Sequence, residues 1–349
     1  MSKVRIIIMS KVRIGLAGLG RLGKEYAQNI QYKSPNAKLI AVCSLAKDEL
    51  EYARDELGVD MCFSSFEEMV EKSNLDAVAI LTPTKYHAQQ IIFSLKNGLH
   101  VFSEKPLAIS IEDCLKAEKE AKKHPDLVSC VGFVRRYDES YMDAKKTIEK
   151  NKIGDPFFVR SQTVDKDTWA PFQIDYVKSG GGIFHDFNVH DADLARWFIG
   201  SEVKKVWSLG GAYRFKEFGD LNDADNTFAF CEFENGKMAL LGASRTSSYG
   251  HDTFTEIIGT LGKLTVGNPP FKNRLQISDK NGYRYECNET FYDRFKDAFL
   301  TQIHDFINSI LNKKQNQCTL SNARKATMIT AAMTESFKTK KIVELKDLG

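Results

Sequence analysis

Residues 13–23 read RIGLAGLGRLG, a short apolar segment that runs into the pattern Gly-x-Gly-x-x-Gly at Gly18, Gly20 and Gly23. In a dinucleotide-binding turn the first glycine allows a tight reversal, the second lets a pyrophosphate approach the backbone, and the third lets the next helix lie close to the strand. A helical pattern follows, and a second apolar segment comes at 38–43. The free N–H groups at the start of that helix would face the phosphates. The stretch therefore predicts a dinucleotide-binding turn.

Length and composition set broad limits on the class of protein. A chain of 349 residues is long enough for two domains. Its hydrophobic share of 42% and charged share of 27% are ordinary for a soluble globular protein. A net charge of +3 builds no strong field of one sign, so we predict no nucleic-acid partner.

The spacing of the cysteines and the length of the apolar segments indicate the cellular compartment of the protein. The seven cysteines are scattered and form no Cys-x-x-Cys pair, which is typical of buried thiols in a reducing cytoplasm. No apolar run approaches the roughly twenty residues that span a bilayer, and the start of the chain lacks a signal-type segment. We therefore predict a cytoplasmic protein with no membrane segment.

A short repeat stands at the start of the chain. The hexapeptide MSKVRI occurs at 1–6 and again at 9–14, and the second copy leads into the glycine turn. We expect residues 1–8 to be an extension from an upstream start, with little structural role.

Strands and helices alternate from residue 12 to about residue 133. The segments predicted as strands are 14–17, 39–43, 62–63, 77–81, 101–102 and 128–131. Nearly continuous apolar strands that alternate with helices indicate a parallel sheet covered on both faces. We predict an α/β domain with a doubly wound parallel sheet, a Rossmann domain, over residues 1–134.

From residue 135 the pattern changes to consecutive strands. These are predicted at 204–213, 227–234, 237–245, 255–259, 263–266 and 275–278, with helices at 187–199, 293–311 and 322–337. The pair Asn235-Gly236 is a hairpin signal. We predict an α+β domain over 135–349 with a large, mainly antiparallel open sheet. Because one face of such a sheet lacks helices, we expect a homo-oligomer, a dimer or tetramer, through that face.

The segment Ser103-Glu104-Lys105-Pro106 directly follows the predicted strand at 101–102. Open parallel sheets bind their ligands at this edge. A lysine there can donate to a reacting oxygen and stabilise negative charge as it develops. The alternative is a surface ion pair between Glu104 and Lys105.

Residues 180–193 read GGGIFHDFNVHDAD, a glycine run followed by a predicted helix. Helical spacing places Asp186, His190 and Asp193 on one face. This arrangement suits a carboxylate that orients an imidazole, with the imidazole as proton acceptor. His185 would point away, so a metal site lacks a second strong ligand and we predict none. A capped helix with solvated acids is the alternative.

Residues 132–138 read GFVRRYD and carry Arg135 and Arg136 at the exit of the predicted nucleotide domain. An arginine beside a cofactor cleft can hold a polyhydroxylated or anionic substrate. Adjacent arginines at a domain junction can equally form interdomain salt bridges.

These motifs together resemble the glucose–fructose oxidoreductase and inositol dehydrogenase family over nearly the whole chain from Met9. The specific parts are the glycine turn, Thr82-Pro83-Thr84 with His87, Glu104-Lys105-Pro106, and the triple glycine followed by Asp186 and His190. Residues 132–141, GFVRRYDESY, look most like the inositol 2-dehydrogenase branch.

The resemblance implies roles for individual residues. It implies a catalytic group of Lys105, Asp186 and His190, and polyol contacts from Arg136, Asp165 and Asp193. The residues that we predict to contact the cofactor are Gly18, Gly20, Arg21, Leu22, Gly23, Ser44, Lys47, Thr82, Pro83, Thr84, His87, Glu104 and Lys105.

The activity implied is reversible oxidation of a ring hydroxyl of myo-inositol, or of a related cyclic polyol, to the ketone by hydride transfer to NAD or NADP. A dehydrogenase or reductase of another sugar or sugar acid is one alternative. A sensor that binds a nucleotide without turnover is the other, and the complete group of lysine, aspartate and histidine disfavours it.

One departure from the dinucleotide-binding pattern concerns the cofactor. An acidic residue about twenty residues beyond the glycine turn ordinarily binds the ribose 2′-hydroxyl of NAD. Here the second predicted strand ends Val42-Cys43-Ser44. Ser44 with Lys47 or Arg21 could accept a 2′-phosphate, so the sequence leaves NAD and NADP open.

Overall fold

The computed structural model describes residues 11–347. The predicted extension at 1–8 lies outside the described residues. The strands are β1 Val12–Ala17, β2 Ala37–Cys43, β3 Met61–Phe63, β4 Ala77–Ile80, β5 His100–Ser103, β6 Ser129–Val131, β7 Pro156–Lys166, β8 Val203–Gly211, β9 Asn226–Phe233, β10 Met238–Ser247, β11 Asp252–Gly259, β12 Lys263–Val266, β13 Phe271–Asp279, β14 Gly282–Cys287 and β15 Val343–Glu344.

The helices are α1 Arg21–Lys33, α2 Lys47–Asp55, α3 Phe66–Lys72, α4 His87–Lys96, α5 Ile111–Lys123, α6 Glu139–Glu149, α7 Ala170–Gly180, α8 Val189–Ile199, α9 Glu217–Asp220, α10 Phe291–Leu311 and α11 Leu320–Thr339. Single 3₁₀ turns lie at Thr84–Tyr86, Val134–Tyr137, Asp167–Trp169 and Leu345–Asp347, and a π turn at Phe184–Asn188. Among residues 11–347, no helix combines the length and apolar character needed to cross a bilayer.

The chain divides into two compact units. Of the described residues, unit 1 contains 11–104, Leu115–Gly132 and Leu300–Leu320. Unit 2 contains Lys105–Cys114, Phe133–Phe299 and 321–347. Both units are thus assembled from separate stretches of sequence, so neither is one continuous segment.

Unit 1 is built on a parallel sheet in the order β3-β2-β1-β4-β5-β6. Every pair in it is parallel, which confirms the predicted Rossmann fold. The chain runs outward from β1 to β3 and then returns to β4 on the other side of β1. This reversal creates a crevice at the carboxyl ends of β1 and β4, where such sheets bind ligands. The loops after β1, β2, β4 and β5 therefore carry the predicted cofactor residues to one edge of the sheet.

Unit 2 is built on a mixed sheet in the order β12-β11-β7-β10-β9-β8-β15. β7 and β10 are parallel and the other pairs are antiparallel, so the prediction of a mainly antiparallel sheet is confirmed. The sequence analysis missed β7, although it lies in the middle of the sheet. Its buried face carries the hydroxyl residues Ser161 and Thr163, which weakens the apolar alternation that predicts a strand. Helix α7 and strands β14 and β15 were also missed.

The cysteines are free thiols. Cys43, Cys114, Cys130, Cys231 and Cys318 are buried, whereas Cys62 and Cys287 are half-buried, so the predicted burial holds for five of the seven. Burial raises the pKa of Cys231 to about 12, so this thiol stays protonated and unreactive.

Candidate active site

The glycine turn of unit 1 has the geometry of a phosphate cradle. Gly18 has φ +92°, and a Cβ there would lie 2.4 Å from the carbonyl oxygen of Leu81. A Cβ on Gly23 would lie 1.9 Å from the carbonyl oxygen of Gly18, so α1 must pack against the turn without a side chain. A Cβ on Gly20, in contrast, would have Glu49 Oε1, at 4.0 Å, as its nearest neighbour. The start of α1 therefore has open space at this position. These residues fit a dinucleotide pyrophosphate.

The segment after β4 is fixed by its own hydrogen bonds. His87 Nε2 lies 2.7 Å from the carbonyl oxygen of Thr82, and Thr82 Oγ1 donates to Gln90 Oε1 at 2.6 Å. Pro83 leads into the 3₁₀ turn that contains the buried Thr84. His87, at the start of α4, thus holds the loop in place, and its predicted cofactor contact stays a prediction.

Glu104 lies at the end of β5 and is buried in unit 1. It accepts a hydrogen bond from the Tyr26 hydroxyl at 2.6 Å, and its backbone N–H donates to Ile80 at 2.9 Å. A Cβ on Gly132 would lie 2.6 Å from Glu104 Oε1, so the glycine leaves room for this carboxylate. Glu104 is therefore a buried residue held within unit 1 and does not lie at the surface.

Lys105, the next residue in the chain, belongs to unit 2 and contacts Asp186. Its Nζ donates to the Asp186 carbonyl oxygen at 2.8 Å and lies 3.2 Å from Asp186 Oδ1. Both side chains are 19% exposed, so the ammonium is fixed yet still partly open to a ligand. A cation held in this way is preorganised to stabilise negative charge on a nearby oxygen.

Asp186 does not contact His190 as the helical spacing predicts. Asp186 lies in the π turn at Phe184–Asn188, and α8 begins only at Val189. Within the described residues, Asp186 pairs with Lys105 and forms no hydrogen bond with His190. Asp186 thus positions the lysine rather than the imidazole.

His190 is set into unit 2 with its Nδ1 atom buried. Within the described chain that atom has no hydrogen-bond partner. Burial is the largest cause of a His190 pKa well below its ordinary value, and the positive charges of Lys105 and Arg135 lower it further. The imidazole is therefore neutral at physiological pH. The charge of Lys105 acts on this imidazole, which is consistent with the two predicted catalytic groups belonging to one site within unit 2.

Arg135 belongs to a buried cluster that ties the start of α8 to β7. It donates to Asp191 Oδ1 at 2.8 Å, and Asp191 also accepts hydrogen bonds from Ser161, Thr163 and Asn188 at 2.7, 2.8 and 3.1 Å. Asp191 is completely buried, and a buried charge is tolerated only with such partners. Ser161 and Thr163, whose hydroxyls interrupt the apolar pattern of β7, are thus hydrogen-bond donors to the Asp191 carboxylate.

Arg136 and Asp193 form a second buried pair. Arg136 Nε and Nη2 donate to the two oxygens of Asp193 at 2.7 and 2.6 Å. All four acidic and basic members of the two pairs belong to unit 2, so the arginines do not make salt bridges between the units through these aspartates. The pair braces α8, and its predicted polyol contact stays a prediction.

Asp165 contacts a histidine that the sequence analysis did not identify. Asp165 Oδ1 lies 2.8 Å from His251 Nδ1, and Asp165 Oδ2 accepts from Gln173 at 3.0 Å. His251 and Thr253 line a cavity of about 280 Å³. His251 Nε2 and Thr253 Oγ1 are buried and have no partner within the described residues. His251 immediately precedes β11 and Asp165 lies on β7, so only the fold brings the two residues together.

The glycine run before the π turn is fixed by a buried ion pair. Gly181 and Gly182 have φ +89° and +82°. Asp223 accepts from the backbone N–H of Ile183 at 3.1 Å and pairs with the fully buried Arg245 at 2.7 Å. This arrangement terminates α7 and directs the chain into the π turn.

His185 is a core residue. Its Nδ1 lies 3.0 Å from Thr330 Oγ1, and burial lowers its pKa to about 4. It therefore remains neutral and serves packing. Within residues 11–347, no group of three or more His, Cys, Asp or Glu side chains is arranged to hold a metal ion.

Comparison with known proteins identifies the family. A model described as an oxidoreductase family with an NAD-binding Rossmann fold, GFO/IDH/MocA, matches residues 12–133. The model of the GFO/IDH/MocA C-terminal domain matches residues 141–265. The chain belongs to the GFO/IDH/MocA oxidoreductase family. The resemblance inferred from the motifs is thus confirmed.

Several GFO/IDH/MocA relatives carry informative names. The scyllo-inositol 2-dehydrogenase (NAD(+)) of Bacillus subtilis is 35% identical over 96% of this chain and 96% of its own. The myo-inositol 2-dehydrogenase of Thermotoga maritima is 30% identical over 97% and 99%. The solved structure of scyllo-inositol dehydrogenase from Lactobacillus casei, with bound NAD(H) and scyllo-inositol, matches with a TM-score of 0.94 and 36% identity, over 97% of this chain and 100% of that chain.

We predict that Lys105→Met raises the pKa of His190. Removal of the ammonium removes a charge that disfavours the imidazolium form. Titration of ¹³C-labelled histidine by NMR, with the His190 signal assigned from His190→Gln, measures this pKa. The control is Lys178→Met, because Lys178 is exposed on α7 and pairs with Asp175. An unchanged or lower His190 pKa in Lys105→Met would contradict the described proximity of the two groups.

Proposed function

We propose that this chain is an NAD-dependent inositol 2-dehydrogenase. It oxidises one ring hydroxyl of myo-inositol, scyllo-inositol or a related cyclic polyol to the ketone, and the reaction is reversible. The observation that supports this most strongly is the Lys105 ammonium, held by Asp186, near the neutral imidazole of His190. The names of the relatives support inositol as the polyol.

In the proposed reaction the cofactor accepts the hydride and side chains of unit 2 handle the proton. Oxidation of a secondary alcohol removes a hydride from carbon and a proton from oxygen, and NAD⁺ supplies the hydride acceptor. His190 accepts the hydroxyl proton, for which its neutral imidazole is ready. Lys105 donates to the same oxygen as negative charge develops there. Asp186 keeps the lysine side chain in place.

Polyol recognition is proposed for the pair of Asp165 and His251. Because the Asp165 carboxylate can only accept, His251 Nδ1 carries the proton of their hydrogen bond, and Nε2 is then an acceptor. A substrate hydroxyl would satisfy this buried Nε2 atom. The family resemblance also proposes Arg136 and Asp193 as polyol contacts. Because their side chains pair with each other, this ion pair would have to rearrange for them to bind a substrate hydroxyl.

The cofactor is proposed to be NAD, as in the names of the Bacillus subtilis and Lactobacillus casei relatives. NADP was left open by the sequence because of Ser44, Lys47 and Arg21. In the structure, the Ser44 hydroxyl donates to the carboxylate of Glu49, and Arg21 and Lys47 are exposed at the starts of α1 and α2. The free, mostly buried thiols support the reducing cytoplasm as its compartment.

Self-association is proposed through the open face of the sheet in unit 2. Trp207 pairs with Phe230 and Leu209 with Phe228 across β8 and β9. Phe228 and Phe230 are 51% and 52% exposed, whereas Ala229, between them, is buried on the opposite face. A contiguous apolar sheet face of this kind is typical of an interface, and a second copy offers the same surface.

We predict that Phe228→Glu combined with Phe230→Glu converts the oligomer to a monomer. Two carboxylates in the middle of the apolar face would have to be desolvated in the interface. Size-exclusion chromatography with light scattering measures the mass. Leu261→Glu is the control, since Leu261 is 75% exposed outside this face. A wild-type protein that is monomeric, or a double variant with unchanged mass, would contradict the proposed interface.

We predict that Lys105→Ala and His190→Ala each lower kcat/KM for inositol oxidation at least about a hundredfold. Each change removes a preorganised donor or proton acceptor. Formation of NADH at 340 nm is measured with myo-inositol, scyllo-inositol and a panel of sugars and sugar acids. Lys178→Ala is the control for the loss of an exposed lysine. Binding of NADH to His190→Ala shows that this variant is folded.

The same assay separates the alternatives. Turnover of another sugar or sugar acid in preference to every inositol would identify a different dehydrogenase of the family. Binding of NADH without NAD⁺ reduction by any polyol would identify the sensor. Near-full turnover in either alanine variant would contradict the roles assigned to Lys105 and His190.

A further inference from the structure

The loop after β2 lacks the acid that dinucleotide sites place there, but a carboxylate reaches the same position from α2. Ser44 follows Cys43, the last residue of β2. Its hydroxyl donates to Glu49 Oε2 and accepts from the backbone N–H of Ala46 at 3.1 Å. Ser44 N–H donates to the Phe63 carbonyl oxygen at 3.0 Å. Both the backbone and the hydroxyl of Ser44 are therefore fixed, and they fix Glu49 in turn.

The carboxylate of Glu49 also lies beside the glycine turn. A Cβ built on Gly20 would be 4.0 Å from Glu49 Oε1. Glu49 therefore lies between the second glycine of the turn and the end of β2, and all of these residues belong to unit 1. In dinucleotide sites of this fold the adenosine ribose occupies the space between these two elements.

The charge of Glu49 has no cationic partner. Within residues 11–347, the contact that Glu49 makes through its carboxylate is the neutral hydroxyl of Ser44, and no salt bridge includes it. Lys47 and Arg21, the cations that could attract a 2′-phosphate, are exposed residues at the first positions of α2 and α1. A ligand at the ribose position would thus lie beside the carboxylate of Glu49, which Ser44 holds in place.

We infer that Glu49 replaces the missing strand-end acid, binds the 2′- and 3′-hydroxyls of the adenosine ribose, and selects NAD over NADP, with Ser44 as its positioning residue. This rests on the proposed function, in that unit 1 binds a dinucleotide. A carboxylate accepts hydrogen bonds from both hydroxyls of a diol. The same carboxylate repels a 2′-phosphate, which carries negative charge of its own.

Binding measurements test the inference without turnover. NADH and NADPH are titrated into the full chain at fixed ionic strength, and nicotinamide fluorescence or calorimetry gives each Kd. We expect wild type to bind NADH at least about thirtyfold more tightly than NADPH, because the Glu49 carboxylate and the 2′-phosphate of NADPH repel each other. Glu49→Gln should reduce this ratio to less than about fivefold, mainly because NADPH binds more tightly. Ser44→Ala should reduce it partly.

The matched control is Glu51→Gln, which removes one negative charge from an exposed position of the same helix. Its NADH/NADPH ratio should equal that of wild type. A Glu49→Gln ratio within twofold of wild type, with both dinucleotides bound, would overturn the role of Glu49 and leave the dinucleotide site intact. A wild-type preference for NADPH would also overturn it. Absence of binding by either dinucleotide to wild type would overturn both this inference and the proposed function.

Discussion

The hydrogen-bonded contact between the Lys105 ammonium and Asp186 is the interaction on which the proposed chemistry depends. It joins the second residue after β5 to a residue in the π turn before α8. A lysine side chain is long and flexible, so it acts as a preorganised donor only when a partner fixes it. Asp186 supplies that partner through both its carboxylate and its backbone carbonyl. The π turn matters because it directs both of these groups to the lysine.

Much of the surrounding structure keeps this turn in place. Asp191 is a buried carboxylate satisfied by Arg135 and by hydroxyls of β7. Asp223 fixes the backbone just before the turn through the buried Arg245. Breaking a buried pair leaves an uncompensated charge, which typically costs about 3–5 kcal/mol. These pairs therefore restrict the turn to one arrangement. The neutral state of His190 follows from the same burial and from the same positive charges.

Sequence alone predicted the fold of unit 1 because local patterns specify it. The glycine turn and the alternation of strands and helices both act over short stretches. In unit 2, β7 was missed because its buried face carries Ser161 and Thr163 in place of apolar residues. Helical spacing predicted that Asp186 orients His190, whereas the structure pairs Asp186 with Lys105, a residue distant in sequence. The roles proposed for Glu49 and His251 were not predicted, because their positions beside Gly20 and Asp165 depend on the fold.

The proposed mechanism requires Lys105 and His190 to bind the same substrate oxygen, and a crystal structure of the protein with NADH and inositol would show whether they do. We expect one ring oxygen within hydrogen-bond distance of both Lys105 Nζ and a ring nitrogen of His190, with its carbon facing C4 of the nicotinamide. An inositol bound with no oxygen near either residue, or with the two residues contacting different oxygens far from the nicotinamide, would contradict it.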